Sequence, residues 1–219
     1  MDSSHVSLIT LVLRKEGLDH FRCDTNMTMG VKMGSLSCIL KCADGGDSIT
    51  LKAEEDGDSL NLVFENDKAD RISDFELKLM ELEAEHLDIP EEECQATISM
   101  PSGEFQRLCR DLTILGDACA ISVTKEGVRF SVEGDVGKGS VTLRSNDSAD
   151  NKDSIKIDMK QVIEQKFALR YLTMFTKATS LSDHVVLTLT NDMPLKVEYS
   201  IEGLGSLCFY LAPKMEGDE

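Results

Sequence analysis

The 219-residue sequence lacks the segments that secretion or membrane insertion would require. Its first ten residues, MDSSHVSLIT, contain no basic region followed by an apolar core, and no uninterrupted apolar stretch is long enough to cross a bilayer. We therefore expect a soluble intracellular protein with no membrane partner. With 41% hydrophobic residues, a chain of this length can bury two small cores or one large core without disulfides or metals.

Cysteine pairs at metal-binding or redox spacing are also missing. The seven cysteines are scattered, their number is odd, and no CxxC sequence occurs. None of the four histidines lies beside a cysteine at zinc-ligand spacing. We predict free thiols that are buried as small hydrophobic side chains, and neither a metal site nor a cofactor.

The sequence contains no common catalytic motif. A GxxxxGK[ST] phosphate loop, a GxSxG elbow, an HExxH motif and a complete dinucleotide fingerprint are all absent. The interpretation is a protein that has no catalytic residues and is not an enzyme. A metal-dependent hydrolase built from Asp and Glu is a less favoured alternative, because among 40 acidic residues no pair stands out as acid and base.

Positive charge is scarce, since 23 Lys and Arg oppose 40 Asp and Glu and the net charge is −17. A chain this acidic does not normally bind nucleic acid unless its positive minority is collected on one face. Whether this chain binds nucleic acid therefore depends on how the cations are arranged along the predicted helices and strands.

Most of the chain has the alternation and the β-branched residues that are typical of strands. The predicted strands cover residues 5–13, 48–53, 59–65, 72–80, 118–124, 127–133, 139–145, 154–159, 185–190, 195–201 and 206–212. Only three segments have helical spacing: 33–43, a segment from an N-cap at Ser102 to a stop at Gly116, and about 167–179. Each is followed by an acidic break and a hairpin, which indicates a repeated unit, with chance similarity among β-rich segments as the alternative.

Each predicted helix carries cations on its polar face. Arg107 and Arg110 are three residues apart in the second helix, Arg170 and Lys177 are seven apart in the third, and Lys41 lies in the first. If these helices line one surface, that surface can hold the phosphates of duplex DNA without reading bases. No aromatic residue interleaves the cations, so stacking on single strands is not expected.

Residues 79–96 interrupt both periodicities, are acidic and contain proline. They are predicted to link an N-terminal domain, residues 1–78, to a C-terminal domain, residues 97–219. The apolar Leu87, Ile89 and Pro90 in the middle of this linker suggest that it packs on a domain or lines a binding site.

The sequence resembles the proliferating cell nuclear antigen family of eukaryotic DNA sliding clamps along nearly its whole length. The segments that carry the resemblance are MDSSHVSL, FRCD, ILKCA, LKLM, LDIPEEE, MPSGEF, RLCRDL, FALRYL, FTKAT, VEY and FYLAPK. The resemblance implies the α+β clamp fold, with two similar domains, antiparallel sheets outside and helices lining the inner face of a homotrimeric ring. It also implies a nuclear processivity factor for DNA polymerase that docks replication and repair proteins and is loaded by a separate clamp loader ATPase.

The resemblance assigns candidate residues by position. The DNA-binding set is Lys41, Arg107, Arg110, Arg170 and Lys177. A pocket for peptides of the form Q-x-x-aliphatic-x-x-aromatic-aromatic would consist of Met1, His5, Val6, Leu8, Leu87, Ile89, Pro90, Pro194, Tyr210, Ala212 and Pro213. The subunit contact would pair the strand Ser73 to Lys78, with Phe75 and Leu77, with the strand Val136 to Arg144, with Val136, Val141 and Leu143. Lys125 matches a lysine that carries ubiquitin or a related modifier in the family.

The sequence also departs from the family. Cys38 stands where the family usually has a lysine, which should weaken one DNA contact, and Phe75 and Cys94 replace tyrosines. The family begins with a strand, a basic helix and a strand that precede this sequence, which suggests a fragment, a mis-started product or a divergent subunit with an open first domain. A checkpoint-type subunit of a heterotrimeric clamp is an alternative that LDIPEEE and FYLAPK disfavour.

Overall fold

The computed structural model describes residues 6–66, 68–81, 93–146 and 153–214. In these ranges the strands are β1 (Ser7–Leu13), β2 (Ser48–Ala53), β3 (Ser59–Asn66), β4 (Arg71–Lys78), β5 (Ala96–Pro101), β6 (Ala118–Thr124), β7 (Gly127–Gly134), β8 (Gly137–Leu143), β9 (Lys156–Met159), β10 (Ile163–Ala168), β11 (His184–Leu189), β12 (Leu195–Ile201) and β13 (Gly205–Leu211). The helices are α1 (Met33–Leu40), α2 (Ser102–Thr113) and α3 (Leu169–Phe175), and 3₁₀ helices cover Lys15–Gly17 and Thr176–Leu181.

The chain divides into two compact units. The larger unit comprises Met1–Phe21 with Pro90–Glu219, and the smaller one comprises Arg22–Ile89. The larger unit holds a six-stranded sheet in the order β1-β13-β12-β11-β5-β9 and a four-stranded sheet in the order β10-β6-β7-β8, whereas the smaller unit holds β2-β3-β4. All these pairings are antiparallel. The predicted α+β class with antiparallel sheets is confirmed.

The order of the elements repeats along the chain. A strand, a helix and three antiparallel strands recur as β1-α1-β2-β3-β4, β5-α2-β6-β7-β8 and β10-α3-β11-β12-β13. In the larger unit the strand before each helix pairs with the hairpin of the other repeat, because β5 joins β11 and β10 joins β6. The predicted succession of helix and hairpin is therefore confirmed, and the exchange of strands ties the two repeats into one core.

The core of the larger unit is formed by the apolar stripes of α2 and α3 together with the inner faces of the two sheets. Phe105 and Leu108 of α2 are 0% and 3% exposed, and they belong to one buried cluster with Leu172 and Phe175 of α3. The ring of Phe175 stacks on Phe209 of β13 at 4.5 Å between centroids. Because the apolar side chains of both helices enter this cluster, the arginines Arg107, Arg110 and Arg170 are left exposed to solvent.

The predicted helices differ from the observed ones at their ends. The amides of Cys42 and Ala43 bond to carbonyls only three residues back, and this tightening ends α1 at Leu40 instead of residue 43. Phe167 is a buried residue of β10, next to its last residue, and not part of a helix. After α3 the chain continues to Leu181 as a 3₁₀ helix.

Strand β1 lies in the sheet of the larger unit, whereas the sequence analysis assigned residues 1–78 to one domain. It pairs with β13 along its whole length, from Ser7 opposite Leu211 to Leu13 opposite Gly205. A Cβ at position 205 would overlap the Val12 carbonyl oxygen, so glycine is required for this close pairing. The contact partner of β1 is thus the last strand of the chain.

The smaller unit has a small core of Leu60, Leu62, Phe64 and Leu77. Beside it, the loop after α1 is fixed to the sheet by Asp47, whose side chain is 1% exposed. The Asp47 carboxylate accepts hydrogen bonds from the Asp44 amide at 3.0 Å, from Asn66 Nδ2 at 2.7 Å and from Arg71 Nη2 at 3.0 Å. The Asp44 amide and the Asn66 side chain, with Arg71, hold the pKa of Asp47 below its usual range.

All seven cysteines are free thiols, as predicted. Cys109, Cys119 and Cys208 are buried, and burial raises the pKa of Cys119 to about 12. The expectation of burial is wrong for Cys23, Cys38 and Cys42, which are exposed. Cys38 is exposed because α1, in which it lies, buries none of its residues.

Candidate functional site

The first candidate site is the solvent-facing side of α2, α3 and the following 3₁₀ helix, which we call the helix-layer surface. The two helices are joined side by side: Gln106 Nε2 donates to the Thr176 carbonyl oxygen at 3.2 Å, and the hydroxyls of Thr113 and Thr173 are 3.3 Å apart. This surface exposes four of the five predicted DNA-binding residues, which are Arg107, Arg110, Arg170 and Lys177. The fifth, Lys41, is exposed directly after α1 in the smaller unit.

A carboxylate that the sequence analysis missed lies between the two arginines of α2. The Nε of Arg107 is 3.7 Å from Asp111 Oδ2, and the Nε of Arg110 is 3.4 Å from Asp111 Oδ1. The spacing of four residues between Arg107 and Asp111 is the sequence signal that could have revealed it. Since all three side chains are at least half exposed, each pair contributes only about 0–1 kcal/mol.

The remaining cations are arranged differently. Arg170 lies over the ring of Tyr171 at 4.8 Å from the centroid, and its Nη2 donates to the Tyr171 hydroxyl at 3.4 Å. Lys177 is exposed in the 3₁₀ helix. Residues 102–113 and 169–181 together contain four cations against the two carboxylates of Glu104 and Asp111. The helix-layer surface is therefore positive in a protein of net charge −17.

The second candidate site, which we call the terminal-strand surface, surrounds the end of β13. Leu8 of β1 lies opposite Tyr210, and Tyr210 lies opposite Lys196 of β12. Beyond the sheet, the Ala212 amide donates to the Val6 carbonyl oxygen at 2.9 Å. The predicted residues that the structure brings to this end of the sheet are Val6, Leu8, Pro194, Tyr210, Ala212 and Pro213. Met1, His5, Leu87, Ile89 and Pro90 lie outside the described residues.

Two further features shape the terminal-strand surface. Partial burial raises the pKa of the Tyr210 hydroxyl, so this group remains a neutral hydrogen-bond donor at physiological pH. Gln165, which the sequence analysis did not single out, donates from Nε2 to the carbonyl oxygens of Thr190 at 3.2 Å and Met193 at 3.5 Å. These bonds fix the turn that leads into Pro194.

The third candidate site consists of two strand edges. β4 and β8 each end a sheet and have one unpaired edge within the described part of the chain. Phe75 packs on Phe64 at 5.3 Å between ring centroids, and Leu77 is only 6% exposed, so these two predicted contact residues turn inward. A contact at β4 must therefore use its backbone and its outward side chains.

On the other predicted edge, Val136 is 78% exposed in the turn before β8, while Val141 and Leu143 pack partly against the core. The outward charged side chains of β4 are Asp74, Glu76 and Lys78, whereas Lys138 is exposed on β8 and Arg144 is exposed directly after it. Opposite charges facing each other across paired strands are stabilising.

Lys125 is exposed in the turn between β6 and β7, beside a shallow depression that Ser145 and Asp158 also line. Within residues 6–66, 68–81, 93–146 and 153–214, no three or more His, Cys, Asp or Glu side chains are grouped to hold a metal ion. Among the helices of those same ranges, none has the length and apolar character needed to span a membrane.

Two family models match this chain. The proliferating cell nuclear antigen N-terminal domain matches residues 1–86, and the proliferating cell nuclear antigen C-terminal domain matches residues 88–214. The two matches meet inside the segment 79–96 that was predicted as a linker.

Proposed function

This chain belongs to the proliferating cell nuclear antigen family of DNA sliding clamps, and we propose that it encircles duplex DNA as a homotrimeric processivity factor. In this function the chain catalyses no reaction. It tethers DNA polymerase and other replication and repair proteins in the nucleus, after a clamp loader ATPase has placed it on DNA.

The observation that carries the DNA-binding part of the proposal is the charge of the helix-layer surface. Four cations project from α2, α3 and the following 3₁₀ helix in an otherwise acidic protein. The aromatic residues between Arg170 and Lys177, which are Tyr171 and Phe175, are buried and so are not available for base stacking. Such a surface can attract phosphates without reading sequence. A ring that is threaded on DNA needs only weak contacts of this kind, because topology retains it.

The experiment that tests this part neutralises all four cations, Arg107, Arg110, Arg170 and Lys177, to Gln. Retention on duplex DNA should weaken, and the slope of log affinity against log salt should fall by about 0.9 for each phosphate that the variant no longer neutralises. The change should be independent of DNA sequence. A matched control replaces four exposed lysines of strands and turns, Lys52, Lys156, Lys160 and Lys166, with Gln. Equal losses in both variants, an unchanged affinity, or a base-specific footprint would contradict the proposal.

The terminal-strand surface supports the docking part of the proposal. It combines the apolar side chains of Leu8, Pro194 and Pro213 with a neutral Tyr210 hydroxyl. Two aromatic side chains of a partner peptide would each bury up to about 150–250 Å². At about 25 cal/mol per Å² this amounts to several kcal/mol before ordering costs, so micromolar affinity is expected.

The charges on β4 and β8 support the ring. Pairing of β4 of one copy with β8 of the next would satisfy the unpaired backbone groups of both edges. An antiparallel register that places Glu76 opposite Lys138 of the neighbouring copy would set one pair of opposite charges across the contact.

A further inference from the structure

The smaller unit holds one helix and its three-stranded sheet, whereas the larger unit holds two such repeats that complete each other. In the larger unit β10 pairs with β6, β5 pairs with β11, and α2 lies beside α3. The first strand after each of these helices, β6 or β11, therefore has a neighbour on both edges. The corresponding strand of the smaller unit, β2, pairs only with β3 in the described part of the chain and ends its sheet.

The open edge of β2 carries apolar side chains on the core side of its sheet. Ile49 and Leu51 lie opposite the buried Phe64 and Leu62, yet they are themselves 48% and 57% exposed. Every inward residue of β6 and β11 is 0% exposed. In the same way α1 buries none of its residues, whereas α2 buries five and α3 buries four. The smaller unit thus has the core face of one repeat without a second repeat to cover it.

The residues directly before α1, 26–32, have the pattern of a strand; we call them the pre-helix segment. β5 and β10 lead straight into their helices, but β1 ends at Leu13 and α1 begins only at Met33. In the pre-helix segment the apolar Met27, Met29 and Val31 occupy every second position, as in a strand with one buried face. Met27 and Met29 are nevertheless 38% and 37% exposed. Within the described ranges, one isolated bridge, from Gly30 to Met80, is the only strand pairing of this segment.

A hydrogen bond places the pre-helix segment where β10 lies in its own repeat. The Met80 amide, after β4, donates to the Gly30 carbonyl oxygen at 3.0 Å, three residues before α1 begins. The Lys214 amide, after β13, donates to the Lys166 carbonyl oxygen at 2.8 Å, three residues before α3 begins. The opposite edge of β10 pairs with β6 of the other repeat. The opposite edge of the pre-helix segment is therefore the edge that a second repeat would fill.

We propose that two copies of this chain associate through their smaller units. The pre-helix segment of each copy pairs antiparallel with β2 of the other copy, and the two α1 helices lie side by side. Two repeats of this chain already pair in this way inside the larger unit, so the occupant that fits the open face is another such repeat, supplied by a second copy. The contact is isologous, because each copy gives one segment and receives one. It goes beyond the proposed ring, whose contact uses the edges of β4 and β8.

The larger unit supplies the register of this contact. Phe167 and Met100, each two residues before a helix, lie opposite Cys119 and Val185, each the second residue of its strand. The same rule sets Val31 opposite Ile49 of the second copy. The other pairs that follow are Met29 with Leu51, Met27 with Ala53, Thr28 with Lys52, and Lys32 with Ser48.

This register covers the apolar side chains that a single copy exposes. Met27, Met29, Ile49 and Leu51 of both copies come to lie on the core side, where their removal from water stabilises the contact. No like charges stand opposite each other in it, since the two lysines face a threonine and a serine. The pairing also satisfies the backbone groups of the open β2 edge.

Disulfide cross-linking between two singly substituted full chains tests the register. One chain carries Thr28→Cys and the other Lys52→Cys, both at exposed positions, so a disulfide between residues 28 and 52 can only join two copies. Directly opposite residues lie within the Cα separation of about 4.4–6.8 Å that a disulfide needs. The matched control mixes Thr28→Cys with Thr50→Cys, a diagonal pair about 7–8 Å apart. Mass spectrometry of the digested mixture identifies each link by its peptides, separately from links to the native thiols.

The disulfide between positions 28 and 52 should be at least tenfold more abundant than the one between positions 28 and 50. Equal amounts of the two links, or neither link, would overturn the proposal.

Sedimentation velocity of the full chain tests the association itself. Glu76→Lys serves as the background, because it weakens the proposed ring contact and leaves β2 unchanged. In that background Leu51→Lys, at a side chain already 57% exposed, should weaken dimerisation at least tenfold. Val162→Lys, at a 64% exposed residue outside β2, the pre-helix segment and both ring edges, should have no effect. Equal behaviour of the two variants, or a background chain that stays monomeric at every concentration, would overturn the dimer. Oligomers that Glu76→Lys leaves unchanged but Leu51→Lys dissociates would support the dimer and reject only the ring contact.

Discussion

Replacing Asp111 with Asn should strengthen the retention of this protein on duplex DNA, although it changes a residue that was not predicted to contact DNA. The carboxylate lies between the guanidinium groups of Arg107 and Arg110, at 3.7 and 3.4 Å from their Nε atoms. Asparagine keeps the shape of the side chain and removes its charge. Both arginines are then free to pair with phosphates.

The size of the effect follows from the exposure of the three groups. Their side chains are 67%, 70% and 50% exposed, so each ion pair is worth about 0–1 kcal/mol. A total gain of about 0.4–1 kcal/mol from the two released arginines corresponds to roughly a two- to fivefold increase in affinity at low salt. Because the Debye length falls to about 8 Å at physiological salt, the gain should shrink as salt is added.

Fluorescence anisotropy of a labelled duplex, titrated at several salt concentrations, measures this change. The matched control is Glu93→Gln, which makes the same change in net charge and breaks an exposed ion pair in which the carboxylate lies 3.6 Å from Lys160 Nζ. Asp111 is near the carboxyl end of α2, where negative charge is unfavourable, so its replacement should not reduce thermal stability. An unchanged or weaker affinity, or an equal gain in the Glu93 variant, would refute the assignment of the helix-layer surface.

The remaining sites give three other predictions. Leu87→Ala with Ile89→Ala should reduce calorimetric affinity for a Q-x-x-aliphatic-x-x-aromatic-aromatic peptide at least tenfold, and equal binding by a folded variant would reject the docking surface. Glu76→Lys should shift sedimentation toward monomers without touching the core, and unchanged oligomers would misplace the contact. Asp47→Asn should lower the urea midpoint at pH 7. Because the folded pKa is lowered, that difference should shrink as pH falls below about 4, and a pH-independent difference would exclude the charge as its cause.

The local part of the fold could be predicted from the sequence. Alternation marks strands such as β6, where Cys119, Ile121 and Val123 are buried and their neighbours are not. β10 was not predicted because the polar Gln165 occupies an inward position and because the strand continues into α3 without a break. β5 was not predicted because it likewise continues into α2 without a break.

The choice of partner strands could not be predicted in the same way. Nothing in the sequence of β1 specifies that it pairs with β13, because that pairing depends on a close approach at Gly205 near the other end of the chain. Candidate sites that depend on contacts between distant segments could not be predicted either. Helical spacing revealed Arg107 and Arg110, whereas the grouping of Leu8 with Tyr210 depends on strand register between distant segments.

If β4 of one copy pairs with β8 of the next, as proposed, the assembly has a direction. A contact between two different strands is heterologous, so each copy would bind one neighbour through β4 and another through β8. Growth would then stop only when the last copy binds the first and closes a ring. A copy that is damaged at β4 alone still presents an intact β8. Such a copy would bind an intact copy through β8 but could not bind a further copy through β4, so the ring that contains it could not close. Even a minority of defective chains would therefore lower the number of closed rings formed by intact chains.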